Sequence, residues 1–70
     1  MTELPRVSHV RVIRALERRD FYILRQGNHV AMTDGRSLVI IPRQSSIKPG
    51  TLRQILDAIN LIVEEFKDLL

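Results

Sequence analysis

Two strand-forming runs joined by Asp34-Gly35 constrain this chain more than any other feature. His29 to Thr33 lies on one side and Ser37 to Ile41 on the other, both rich in residues that favour strands. Asp-Gly accepts the left-handed backbone of a tight reversal, so the pair predicts a two-residue hairpin turn. A further run, Phe21 to Gln26, precedes them and is broken by Gly27-Asn28. Three such runs in succession predict an antiparallel meander, with the third strand closed by Pro42. Side chains alternate across a strand, so Val30 and Met32 share one face and His29, Ala31 and Thr33 the other. The apolar pair belongs to the core. His29 therefore points away from the core, or stands at the strand's start beside the Gly-Asn loop.

Helical periodicity flanks the meander. Ser8 is placed to cap a first helix, although Arg11 stands where a glutamate would complete a capping box. Val10, Ile13 and Leu16 recur at helical spacing, with Val12 widening the arc. Arg11, Arg14 and Arg18 fall in one stripe on a neighbouring face. Asp20 is expected to end this helix in the left-handed position usually given to glycine. After the polar loop from Arg43 to Lys48, Pro49 suits a helix's first turn, and Leu52, Ile55, Leu56 and Ile59 make a clean apolar face. Asn60 is a second left-handed stop. Val63 and Phe66, with Leu69 or Leu70, mark a short last helix. The expected fold is a single α+β domain over residues 1–70: helix, three-stranded antiparallel sheet, helix, and a short C-terminal helix. Both main helices on one sheet face would leave the other open.

Composition narrows the function classes. Seventy residues make one domain at most. With no cysteine, neither a disulfide nor a thiolate metal site is available, which fits a reducing compartment. The longest apolar run, Leu38 to Pro42, is far too short to cross a bilayer, and the N-terminus lacks a signal-peptide pattern. The chain reads as soluble and cytoplasmic, with no membrane partner. Charge is uneven: residues 1–53 hold ten basic against four acidic side chains (Glu3, Glu17, Asp20, Asp34), a net of +6. Residues 54–70 hold Lys67 against four acidic side chains, a net of −3. A basic surface of this kind suits a phosphate backbone, or is an ordinary solvated face; the arginine stripe carries the same two readings.

Chemistry converges on His29, within Arg25-Gln26-Gly27-Asn28-His29. Histidine both takes and gives a proton near neutral pH. Metal binding has little support, since His9 and His29 lie on separate elements and no acidic residue stands close to His29 in sequence. No cofactor is called for: there is no phosphate-binding glycine loop and no serine elbow. A single histidine is enough for cleaving RNA but not DNA, because the ribose 2′-hydroxyl is a built-in nucleophile. Such an enzyme needs a base, His29, and cations to steady the phosphorane, from Arg25, Arg36, Arg43 or Lys48, with backbone N–H groups of Gly27 and Asn28 in support. The expected site is a corner where the second strand's start, the Arg43–Lys48 loop and the following helix's first turn converge.

Several stretches together resemble a known family. Leu16-Glu17-Arg18-Arg19-Asp20-Phe21, Arg25-Gln26-Gly27-Asn28-His29, Asp34-Gly35-Arg36, Ile41-Pro42, Lys48-Pro49-Gly50-Thr51-Leu52-Arg53-Gln54-Ile55-Leu56 and Leu61 through Phe66 are similar to the HicA (YcfA-like) mRNA interferase toxins of type II toxin–antitoxin systems. The resemblance implies a fold like a double-stranded-RNA-binding domain and cleavage of messenger RNA. It also implies His29 as the catalytic histidine after the Gly27 turn, and a HicB-like antitoxin that silences the toxin by covering that histidine. The chain departs from the family's usual pattern at several places. Asn28 stands for serine, Asp20 and Asn60 stand for glycine, and Ile62 stands for a capping threonine or serine. Arg43 stands where many relatives have a histidine after Ile-Pro, and Val30 replaces the second member of a His-His pair. The leading reading is an endoribonuclease toxin with RNA and an antitoxin as partners. The alternatives are a non-catalytic RNA-binding module and a pure protein-interaction domain. Arg11, Arg14 and Arg18, with Arg25, Arg36, Arg43 and Lys48, are the candidate RNA contacts.

Overall fold

The computed structural model describes residues 4–70, so Glu3 lies outside it. The elements run α1 (His9–Glu17), β1 (Tyr22–Gln26), β2 (His29–Thr33), β3 (Leu38–Pro42), α2 (Pro49–Ala58) and α3 (Val63–Leu69). The strands form one antiparallel sheet in the order β1-β2-β3. This is the expected α+β meander with its flanking helices. Among the described residues, no helix is long and apolar enough to cross a membrane.

Local chemistry explains the element ends. The Ser8 hydroxyl accepts the Arg11 N–H at 3.3 Å and caps α1. Asp20 and Asn60 both take positive φ, 68° and 55°, and stop the chain after α1 and α2 as expected. Short polar side chains tolerate this region because they bond locally to the backbone. Pro49 occupies the first turn of α2. Ile62 precedes α3 without a side-chain cap, and the acidic Glu64 and Glu65 in that first turn complement the helix's positive end.

Three local expectations are corrected. First, the β2–β3 connection is a four-residue loop, because the last rung pairs Thr33 with Leu38. A two-residue reversal of the Asn-Gly type needs positive φ at both central residues. Gly35 provides it at 94°, whereas Asp34 is not among the left-handed residues. The Asp34 carboxylate instead accepts the backbone N–H groups of Ser37 at 2.8 Å and Arg36 at 2.9 Å. Those two bonds, Ser37 foremost, hold its carboxyl below the ordinary aspartate value. Second, Pro42 belongs to β3 as its last residue, opposite His29. An edge strand tolerates proline because one side of its backbone lacks a sheet partner. Third, Val10 is exposed, and the inward stripe of α1 is Val12, Ala15 and Leu16. At 100° per residue, Val10 lies on the far side of the helix, next to the arginines.

The pleat sorts the sheet as anticipated. Val30, Met32, Val39 and Ile41 are buried on one face, where they meet the apolar sides of α1, α2 and α3, with Phe66 fully enclosed. The other face is open. Tyr22, Leu38 and Ile40 are each more than half exposed there. The segment before α1 is tied to the loop after β3. Val7 bridges Ile47 (Ile47 N–H to Val7 carbonyl, 2.8 Å), and His9 N–H reaches the Gln44 carbonyl at 2.9 Å.

Candidate functional site

His29 begins β2 at one end of the sheet, paired across to Pro42. Its neighbour Val30 is 1% exposed and anchors the strand in the core, so strand alternation turns the His29 ring outward, and the residue is exposed. The register places the next outer-face rung beside it: Arg25 on β1, Ala31 on β2 and Ile40 on β3. A bulge between Ile23 and Arg25 lets Arg25 stand opposite Ala31. The result is a cleft of about 360 Å³ lined by Arg25, Gln26, Gly27, Asn28, His29, Ala31 and Ile40.

The turn before His29 is fixed from two sides. Gly27 N–H donates to the His29 carbonyl at 3.1 Å. Arg43 Nη1 donates to the Gly27 carbonyl at 3.2 Å, which brings a second guanidinium to the cleft's rim. One bond uses one of five guanidinium donors and leaves the rest for an anion. Among the described residues, no carboxylate lines the cleft. A neutral imidazole there is a proton acceptor in an environment that favours negative charge.

The remaining candidates are distributed. Arg25, Gly27, Asn28, His29 and Arg43 come together. Lys48, at the cap of α2, is exposed but does not line the cleft, and neither does the first turn of α2. Beyond Arg43 the loop is held instead against the N-terminal segment, through Gln44 to His9 and Ile47 to Val7. Arg36 sits in the β2–β3 loop at the opposite end of the sheet, a five-residue strand away from His29, or roughly 13 Å. Arg11, Arg14 and Arg18 line a separate cleft with Ala15, Leu69 and Leu70. Arg18 Nη1 already donates to the Leu69 carbonyl at 3.0 Å, and Arg19 pairs with Glu65 at 3.3 Å. His9 is structural: its Nδ1 lies 2.9 Å from the Gln44 carbonyl, a contact that places the proton on that nitrogen.

Residues that sequence reasoning missed as part of the site are Gln26, Ala31 and Ile40. Every residue from Leu38 to Ile41 is apolar, so alternation did not tell which of them faces outward. The register with β2 does.

Fold and cleft together define a small α+β domain that presents one exposed histidine between two arginines. The model of the family described as "HicA toxin of bacterial toxin-antitoxin" matches residues 10–61, about three quarters of the chain, from the second residue of α1 through the end of α2. The chain belongs to the HicA toxin family, and so stands as the toxin member of a toxin–antitoxin pair with an antitoxin as partner. No curated protein and no solved structure matches it.

Proposed function

We propose that this toxin is a metal-independent endoribonuclease acting on messenger RNA, with His29 as general base. The carrying observation is the exposed imidazole in a cleft rimmed by Arg25 and Arg43, with no carboxylate among its described lining residues. His29 removes the proton from a ribose 2′-hydroxyl. The oxygen attacks the adjacent phosphorus, a 2′,3′-cyclic phosphate forms, and the 5′-oxygen leaves, taking its proton from water. Arg25 and Arg43 offset the charge that builds on the phosphorane. With one histidine in place of two, turnover is slow relative to two-histidine ribonucleases.

In this reading RNA is the substrate, the cytoplasm is the place of action, and a HicB-like antitoxin silences the toxin by covering His29. The arginines of α1 and Arg36 and Lys48 supply phosphate contacts outside the cleft. Expressing the wild type and His29→Ala without a partner tests the proposal. Growth arrest with RNA decay is expected from the wild type alone. Arrest by both proteins, sensitive instead to Arg14→Glu or Arg18→Glu, would mark a non-catalytic RNA-binding module.

A further inference from the structure

We infer that the cleft beside His29 is a nucleobase site, holding the base of the nucleotide whose 2′-hydroxyl attacks. Ala31 and Ile40 form its floor, and Gln26 and Asn28 set which base is preferred. This rests on the ribonuclease reading and adds a specificity determinant to it.

Geometry leads to the base first. The attacking hydroxyl and the base sit on adjacent carbons of one ribose. A base on that sugar must therefore lie within a few ångström of the ring that takes the proton. The rung next to His29 on the outer face is Arg25–Ala31–Ile40, one strand repeat away, roughly 7 Å along β2. All three residues of that rung line the cleft.

The chemistry of the lining agrees. Ala31 and Ile40 are apolar, and Ile40 is 51% exposed, so a flat ring laid over them removes apolar surface from water. Arg25 bounds one side with a planar guanidinium, a surface on which bases stack. Gln26 and Asn28 each carry an amide with both donor and acceptor groups, which is what reading a base edge requires. The other clefts lack this combination. The larger one, about 660 Å³ between α2 and α3, carries Asp57 and Glu64 and no histidine. The one along α1 offers three arginines and no comparable floor next to a proton acceptor.

The test uses two short RNAs that differ at one position. One carries the intact nucleotide on the 5′ side of the cut; the other carries an abasic ribose with its 2′-hydroxyl retained. For the full-length wild type, freed of its antitoxin, removal of the base is expected to lower kcat/KM about tenfold or more. Gln26→Ala and Asn28→Ala are expected to flatten the base preference at that position in a randomised RNA pool. Ala31→Leu, which fills the floor, is expected to bring the intact-to-abasic ratio toward one. Equal cleavage of both RNAs by the wild type would overturn the inference while leaving His29 as the base. So would an Ala31→Leu variant that loses only antitoxin binding, which would assign the floor to the protein partner. A wild type that cuts neither RNA, nor any other, would refute the ribonuclease reading itself.

Discussion

Substituting two adjacent residues separately should have opposite effects. Val30 is 1% exposed, and Val30→Ala removes two carbons from the inner face of β2. At about 0.8 kcal/mol per buried carbon, plus the cavity left behind, the loss is about 2–3 kcal/mol. A 70-residue domain has about 4–10 kcal/mol in total, so this is a large share. At roughly 4–8 °C per kcal/mol for a domain this size, Tm falls by roughly 10–20 °C. His29 is exposed, and no side chain among the described residues bonds to its ring. His29→Ala should change stability by less than about 0.5 kcal/mol, or about 4 °C at most. Removing the base should instead reduce cleavage by roughly 10²–10⁴-fold. Thermal unfolding by circular dichroism and cleavage of a fluorescent RNA, run side by side on both variants, read the two effects. A His29→Ala protein destabilised as much as Val30→Ala would show the ring packed in the structure and refute the outward placement.

Four further outcomes follow from the same structure. Arg43→Ala removes the guanidinium bonded to Gly27 and should lower cleavage at least tenfold, with Tm within a few degrees of wild type; an unchanged rate would remove Arg43 from the site. Ser8→Ala should lower stability by about 1 kcal/mol in urea melts, since it leaves the Arg11 N–H uncapped. Asp20→Gly should raise stability by up to about 1 kcal/mol, because glycine meets no β-carbon penalty at φ 68°. The lowered carboxyl of Asp34 makes a stabilising contribution that is present above its unfolded pKa and is lost as pH falls through its folded value. That loss begins below about pH 4, and the Asp34→Asn protein should lack it in acid titrations of stability.

The fold was legible where one residue type serves one backbone need. Asp20 and Asn60 stop helices by taking positive φ, and Pro49 opens α2. Val30 and Met32 define the buried face of β2, which by itself turned His29 outward. Legibility failed where side-chain bonding competed with turn type, as at Asp34, whose carboxylate widens the loop by capturing Ser37 and Arg36. It failed also where residues far apart in sequence decide the outcome. The pairing of Val7 with Ile47 draws the loop after β3 toward the N-terminal segment, and Lys48 is not brought into the cleft. The bulge that sets Arg25 opposite Ala31 leaves no mark in a sequence where Leu24 looks like any strand residue.

The central claim is that His29 draws a proton from the RNA's own sugar. The most direct measurement is the chemistry of the ends produced when purified protein cuts an RNA carrying a single 2′-deoxy nucleotide at the preferred site, beside its all-ribose twin. The account predicts a 2′,3′-cyclic phosphate from the all-ribose strand, no cut at the deoxy position, and roughly a hundredfold or more less cyclic phosphate with His29→Ala. Cleavage at the deoxy position, or 5′-phosphate ends, would contradict it.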